Sequence, residues 1–137
     1  MEKQDGPQGL FGEVSWVYTR AQAIAEGVLI DVTAEANDAG FKVPVSLTVT
    51  VWADVVAWSA EDSARQIQQD EPALLNDLLW SAATLARHYT GDRMSFQHHR
   101  VPRGGNGVCR TPIALVMAIG PGDGAEPVVT LMLPSDD

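Results

Sequence analysis

The chain has 137 residues, 45% of them hydrophobic and 20% charged, with a net charge of −9 and a single cysteine. This composition excludes wholesale disorder, and one cysteine excludes an internal disulfide. No apolar run reaches the roughly 18 residues that a membrane helix needs, and no secretory leader is recognisable. We therefore expect one domain, residues 1–137, in the cytoplasm, with a frayed lead-in (1–10) and an acidic tail (134–137).

The first predicted elements alternate between strand and helix. Residues 11–18 suit a strand because bulky and β-branched side chains predominate. Thr19 and Gln22 have the spacing of a capping box, which predicts a short helix that ends at Gly27. Residues 28–32 (VLIDV) are short, apolar and β-branched, and they predict a buried strand.

The next stretch leaves two interpretations open. Thr33 is placed to cap a second short helix that closes at Gly40. Residues 43–58 (VPVSLTVTVWADVVAW) alternate as a strand does, yet they also form a helical stripe behind a first-turn proline, Pro44. Between the two interpretations, helix is preferred for this stretch.

The clearest element of the sequence is a helix over residues 70–89. Its apolar residues recur at spacings of three and four, a carboxylate precedes Pro72 at its start, and Gly91 is placed to end it. Before it, Ser59 and Asp62 form a capping pair for a short exposed helix. This central helix must pack its apolar side on the rest of the chain.

After that helix the hydrophobic period changes from 3.6 to 2 residues. Residues 93–101 alternate, residues 113–119 are almost entirely apolar, and residues 128–133 form a last strand. Glycine-rich loops separate these three segments. The sequence therefore predicts an α+β fold, with helices packed on a mainly antiparallel sheet that ends in a three-strand meander.

Charge is distributed unevenly along the chain. Residues 1–86 hold four Lys or Arg and thirteen Asp or Glu, whereas residues 87–110 hold five arginines, three histidines and one acid. Residues 93–110, hereafter the basic hairpin, carry the candidate partner-binding residues Arg93, His99, Arg100, Arg103 and Arg110. Clustered guanidinium groups suit carboxylate or phosphate recognition, although a solvated hairpin is the simpler interpretation.

Other candidate sites are weaker. His98 and His99 are neighbours on a predicted strand, so their imidazoles face opposite sides and do not suit one metal ion. Cys109 lies in no nucleophile motif, and the RGGNG loop (103–107) joins two strands instead of opening a helix, as a phosphate-binding loop would. We expect neither a metal nor a cofactor.

Four strings of the sequence together carry a family resemblance: VYTRAQAIAEGVLIDVT (17–33), GFKVPVSLTVTVWADVVAW (40–58), HRVPR (99–103) and GPGDGAEPVVTLMLPSDD (120–137). They resemble a family of small proteins of unknown function carried on bacterial plasmids, phages and integrated elements. The resemblance implies no reaction and no catalytic residue. It implies a context, because small proteins of mobile elements are often accessory factors, including inhibitors of restriction or CRISPR systems. It also favours helix in 43–58, since relatives have alanines at positions 48 and 49.

Two functions follow as expectations. The preferred one is a non-enzymatic accessory protein that binds a host protein or nucleoprotein complex through its acidic surface or through the basic hairpin. With a net charge of −9, direct nucleic-acid binding is disfavoured; a homodimer is compatible with the sequence. The alternative is a small enzyme similar to an ADP-ribosyltransferase, acting on a nucleotide or a protein side chain, with Tyr18, Arg20 and either Glu126 or a histidine in its site.

Overall fold

The computed structural model describes residues 18–88, 91–105, 107 and 109–136. Its helices are α1 (Arg20–Ala25), α2 (Thr33–Ala39), α3 (Val49–Val51), α4 (Ala60–Arg65) and α5 (Glu71–Ala86). A π-helical turn (Trp52–Val56) continues α3, and a 3₁₀ turn (Pro134–Asp136) follows the last strand. The strands are β1 (Leu29–Asp31), β2 (Val45–Thr48), β3 (Arg93–Arg100), β4 (Thr111–Pro121) and β5 (Pro127–Met132).

The strands of the described residues form one sheet in the order β1-β2-β5-β4-β3. β3, β4 and β5 pair antiparallel in chain order, which is the predicted meander, and β1 pairs antiparallel with β2. Among the described strands, only β2 and β5 pair in parallel. A parallel pair needs a long crossover connection, and here that connection contains all the helices from α3 to α5 as well as β3 and β4. The predicted α+β class is confirmed.

One face of the sheet packs against helices and forms the core. α5 contributes five residues at spacings of three and four, each at most 5% exposed: Leu75, Leu78, Leu79, Ala82 and Ala83. They belong to one apolar cluster with strand residues Val45, Leu47, Phe96, Leu115, Met117, Val129 and Leu131. α2 packs against α5, and its buried Ala36 and Ala39 have small side chains that allow a close approach.

Three of the helices begin at the capping side chains that the sequence predicts. In α1, the Thr19 hydroxyl accepts from the Gln22 N–H (3.0 Å) while the Gln22 amide oxygen accepts from the Thr19 N–H (2.9 Å). Ser59 and Asp62 form the same reciprocal box at α4, with distances of 3.1 and 2.9 Å. The Asp70 carboxylate accepts from the N–H three residues further on in α5, at 2.8 Å.

The ends of the first two helices are also as predicted, but the start of the second is not. Gly27 and Gly40 follow α1 and α2 with positive φ angles of 80° and 112°. Thr33, however, is the first residue of α2 and does not cap it. Its backbone N–H donates to the Asp31 carboxylate at 3.0 Å, so Thr33 connects the helix to β1.

The preference for helix over residues 43–58 is wrong in its first half. Val45–Thr48 is strand β2, and helix begins only at Val49. β2 lies between β1 and β5, and three of its consecutive residues are at most 1% exposed, so pairing and packing on both sides outweigh the helical stripe. The Thr48 hydroxyl then accepts from the Val51 N–H at 3.3 Å, so that one residue ends the strand and caps the helix.

Three further predictions from the sequence concern residues 28–32, the end of the central helix and residues 11–18. The strand predicted at 28–32 exists, but it lies at one edge of the described sheet and is only half-buried. The central helix ends at Ala86, before Gly91, which therefore does not cap it. Of the strand predicted at 11–18, residues 11–17 lie outside the described residues.

The acidic C-terminal segment is held against the sheet by one carboxylate. Asp136 accepts hydrogen bonds from the hydroxyls of Thr48 (2.8 Å) and Thr50 (2.6 Å) and from the Leu133 N–H (2.8 Å). Partial burial raises the pKa of Asp136, but the three hydrogen bonds together outweigh it and lower the pKa below its ordinary value. Within the described residues no helix has the length and hydropathy needed to span a bilayer.

Candidate functional site

Arg100 of the basic hairpin is bound to the helical layer. Its Nε donates to Asp54 Oδ1 in the π-helical turn at 2.7 Å, and the two side chains are only 14% and 34% exposed. Its Nη1 also donates to the hydroxyl (3.0 Å) and the carbonyl oxygen (3.3 Å) of Thr111 on β4. A charge-assisted hydrogen bond in this partly buried setting is stronger than a surface ion pair, so Arg100 cross-links β3, β4 and the helices.

Arg103 forms a second cross-link, at the loop of the hairpin. Its Nε donates to Asp62 Oδ2 at 2.9 Å, and Asp62 is the buried capping carboxylate of α4. The pKa of Asp62 is lowered to about 2, first by the hydrogen bond from the Ser59 backbone N–H and then by the Ser59 hydroxyl and Arg103, against a raising effect of burial. Arg65 donates to the Gly104 carbonyl (3.2 Å) and ties the same loop to α4.

Arg110 and His98 approach a third carboxylate, Asp77 of α5. Arg110 Nη1 lies 3.5 Å and His98 Nε2 3.9 Å from Asp77 Oδ2. Burial lowers the pKa of His98, and this effect exceeds the opposing effect of Asp77, so the imidazole is neutral at pH 7. The ion pair in this group is therefore the one between Arg110 and Asp77. It is exposed, because its two side chains are 58% and 44% accessible.

The predicted partner-binding residues do not form one cluster. Arg93 begins β3 and Arg100 ends it, about 23 Å away at the usual rise per residue of a strand. His99 is exposed and lies on the face of β3 opposite the buried His98, as predicted from strand geometry. That Arg93, His99, Arg100, Arg103 and Arg110 bind a partner stays a prediction.

A groove lies beside Arg100 and Arg103, the two arginines that bind Asp54 and Asp62. It has a volume of about 410 Å³ and is lined by Thr50, Ala53, Asp54, Arg100, Pro102 and Arg103. Both of its arginines already bind carboxylates. An anionic ligand would have to compete with Asp54 and Asp62 for those guanidinium groups, so the groove is poorly suited to one.

A second groove has acidic walls and an apolar floor, and it is hereafter called the acidic groove. It lies between α2, the π-helical turn and α5, has a volume of about 380 Å³, and is lined by Glu35, Asp38, Trp52, Glu71, Pro72, Leu75 and Asn76. Glu71 accepts a hydrogen bond from the Trp58 N–H at 3.0 Å. Glu35 and Asp38 are exposed and pair with no side chain among the described residues.

A third cavity lies on the sheet face opposite the core. It has a volume of about 630 Å³ and is lined by Tyr18, Thr19, Arg20, Ala23, Val28, Leu29, Thr48, Pro121, Gly122, Asp123, Thr130, Met132 and Asp136. The Arg20 guanidinium donates to the hydroxyls of Ser46 (2.8 Å) and Thr130 (3.0 Å) and to the Val129 carbonyl (3.0 Å). Burial lowers the pKa of Arg20, while the charges of Asp31 and other carboxylates oppose this. Arg20 thereby holds α1 on the sheet.

Only two of the three residues named for the enzyme alternative lie in the same cavity. Tyr18 and Arg20 line this third cavity, and the Tyr18 hydroxyl donates to Glu26 at 2.7 Å. Glu126 does not line it, because its carboxylate turns onto the β4–β5 loop and accepts from the Gly124 N–H at 2.8 Å. A Cβ at Gly122 would lie 2.7 Å from the Glu126 carboxyl carbon, so the loop leaves this side chain little room.

Two further candidates from the sequence are a metal site at the histidines and a reactive thiol at Cys109. The part of the chain that the structure describes contains no group of three or more His, Cys, Asp or Glu side chains that could hold a metal ion. Cys109 is exposed. Gly104 has a φ of 79° and lies in the connection between β3 and β4, so the glycine-rich loop joins two strands, as predicted.

Sequence reasoning missed the acidic groove. Its signal was present, because Glu35 and Asp38 are three residues apart on a short helix and so lie on one side of it. What the pattern did not reveal is that this side adjoins Glu71 and Trp52, which come from other elements.

Comparison with known proteins gives a family but no activity. The model of a family of unknown function, DUF6573, matches residues 10–137, most of the chain. No curated protein and no solved structure matches the chain. The charges and cavities of the chain are therefore the features that bear on its function.

Proposed function

The chain belongs to the family of unknown function DUF6573, and we propose that this protein is a non-enzymatic accessory binding protein of a mobile genetic element. Its partner is a host protein with a basic surface, and the contact is made by the acidic surface of this chain. One observation carries the proposal. Arg100, Arg103 and Arg110 are each paired with a carboxylate of the helical layer, whereas Glu35 and Asp38 have no such described partner.

This difference decides which charge is available to a partner. An arginine already hydrogen-bonded to a carboxylate loses that contact when it binds a new anion, so its net gain is small. An exposed carboxylate without a cation gains the full interaction and adds to a whole-protein field set by a net charge of −9. The acidic surface is therefore the better supported of the two surfaces considered from the sequence.

The proposed origin on a mobile genetic element indicates which class of host protein is the partner. Restriction and CRISPR complexes bind nucleic acid, so they carry basic surfaces that neutralise phosphates. An acidic protein of a plasmid or phage occupies such a surface by presenting carboxylates in place of phosphates. The protein acts in the cytoplasm, where these complexes work, and it inhibits the defence complex by excluding the nucleic acid.

The proposal is tested by affinity capture from a bacterial lysate at low ionic strength. The variant neutralises four exposed acids that form no ion pair with a described residue: Glu35→Gln, Asp38→Asn, Asp92→Asn and Glu126→Gln. The expected result is a basic protein that wild type retains, that salt releases, and that the fourfold variant fails to retain. Light scattering of the complex then shows whether one copy or a homodimer of this chain is bound.

An Arg110→Ala variant is the matched control, because Arg110 is exposed and its ion pair is long. It should retain the partner. If the fourfold variant still retains the partner, or if only the arginine variant loses it, the contact is made by the basic hairpin instead. The absence of any salt-sensitive partner would remove the proposal.

A second candidate is the small enzyme of the alternative. It is favoured by the size of the third cavity, about 630 Å³, and by the presence of Tyr18 and Arg20 in its wall. Isothermal titration with NAD⁺ tests it, with Tyr18→Phe and Glu126→Gln as variants. Binding by wild type that Tyr18→Phe weakens would support a nucleotide site, and an absence of heat at high ligand concentration would exclude it.

A further inference from the structure

We propose that the acidic groove is the contact site for a basic peptide segment of the partner, and that it receives an arginine side chain. This inference rests on the proposed function and names the place and the chemistry of the contact. It is carried by three features that favour the same ligand: an apolar floor, an indole, and carboxylates on opposite walls.

The floor of the groove suits the aliphatic part of an arginine. Leu75 is buried, and Pro72 adjoins it on the first turn of α5. Trp52 is half-buried and lines the same groove from the π-helical turn. An indole is the aromatic group that attracts a guanidinium best, and the planar guanidinium also stacks on it. The apolar stem of arginine meanwhile covers the exposed surface of Pro72.

The walls supply negative charge from two helices. Glu35 and Asp38 stand on α2, and Glu71 stands on α5, where one of its two oxygens accepts from the Trp58 N–H. Asp38 lies in the last turn of α2, where the helix dipole adds partial negative charge and no basic residue compensates it. A guanidinium between these walls can donate to carboxylates on either side.

Among the described residues, no lysine or arginine lines this groove. Arg87 reaches the end of α2, where its Nη2 lies 3.8 Å from the position of a Cβ at Gly40. It forms no ion pair with Glu35 or Asp38. The groove therefore keeps its negative potential, which is an unfavourable arrangement for an isolated protein and a favourable one for binding a cationic group.

The size of the groove indicates a segment and not a folded surface. Its volume of about 380 Å³ lies near the lower end of the roughly 300–1,000 Å³ usual for ligand pockets. It accommodates one long side chain with part of its backbone. Neighbouring basic residues of the partner segment would then remain outside, in the field of the acidic surface.

The test uses a short oligoarginine peptide and its citrulline counterpart, which has the same shape without the charge. Binding is followed by isothermal titration and by the NMR signal of the Trp52 indole N–H, assigned with a Trp52→Phe variant. We expect the arginine peptide to bind at low ionic strength and to shift the Trp52 signal, and the citrulline peptide to do neither. Glu35→Gln/Asp38→Asn should weaken binding about tenfold.

The control variant is Glu26→Gln/Glu61→Gln, which removes the same charge at exposed positions that do not line the groove. It should change the affinity by about twofold or less. Equal weakening by both variants, an unchanged Trp52 signal, or no binding to wild type would each overturn the groove as the site. The proposed function fails separately, when the fourfold variant still retains the lysate partner.

Discussion

The basic hairpin and the acidic groove carry opposite charges, and they differ in where those charges find partners. Arg100 and Arg103 donate to Asp54 and Asp62 at 2.7 and 2.9 Å, so the charges of the hairpin serve to fasten it to the helices. Within the part of the chain that the structure describes, no cation lines the acidic groove. A cluster of like-charged residues in a sequence is therefore not yet a binding surface, because its charges can be used inside the fold.

The largest effect should come from breaking the ion pair of Arg100, which is less exposed than Arg103 and Arg110. Arg100→Ala should lower the free energy of unfolding by about 1.5–3 kcal/mol, because it removes a charge-assisted hydrogen bond and leaves the partly buried Asp54 without its cation. Arg110→Ala, with an exposed and longer contact, should cost only about 0–1 kcal/mol. Urea denaturation measures both, and equal losses would contradict the distinction.

A second effect is confined to acid. The pKa of Asp62 is about 2 in the folded protein against an ordinary 3.8, so its contribution to stability is present above about pH 4 and is lost as the pH falls towards 2. Asp62→Asn should flatten this part of the pH–stability curve. Arg103→Gln should retain much of the slope, because the Ser59 N–H is the first cause of the shift. A slope unchanged by Asp62→Asn would contradict the assignment.

A third effect occurs at milder acidity. Burial holds the pKa of His98 below its ordinary 6.5, so the contribution of the neutral imidazole is present above about pH 6.5 and is lost as the pH falls through the lower folded value. His98→Leu should remove this loss of stability. His99→Gln, on the exposed face of β3, should leave it in place. Thermal unfolding across this pH range distinguishes the two histidines.

The smallest effect should be a gain in stability. Glu35 and Asp38 are like charges three residues apart on α2, so Glu35→Gln/Asp38→Asn should raise the free energy of unfolding by about 0.2–0.5 kcal/mol. The same variant is expected to weaken peptide binding about tenfold, so stability and binding would change in opposite directions. A loss of stability would instead mean that these carboxylates support the fold.

Much of the fold follows from local patterns. The capping boxes at Thr19 and Ser59, the cap at Asp70 and the apolar period of α5 are visible in the sequence because their partners lie three or four residues away. The C-terminal meander is predictable for the same reason, since its strands pair with their neighbours in the chain. These predictions are confirmed because short-range geometry leaves few alternatives.

Elements that depend on distant partners were predicted less well. Residues 45–48 carry both a strand pattern and a helical stripe, and only pairing with β1 and with the distant β5 makes them a strand. Thr33 has the identity of a helix cap, but its contact with Asp31 gives it another role. In both places tertiary contacts outweigh the local preference.

The sequence by itself determined the fold class, the starts of α1, α4 and α5, and the excess of negative charge, because each depends on composition or on residues a few positions apart. Only the tertiary structure decided which charges are available to a partner. Arg100, Arg103 and Arg110 meet their carboxylates across 46, 41 and 33 residues, and the acidic groove combines side chains of three separate elements. Electrostatic interactions depend on distance in space, and folding sets that distance independently of separation along the chain.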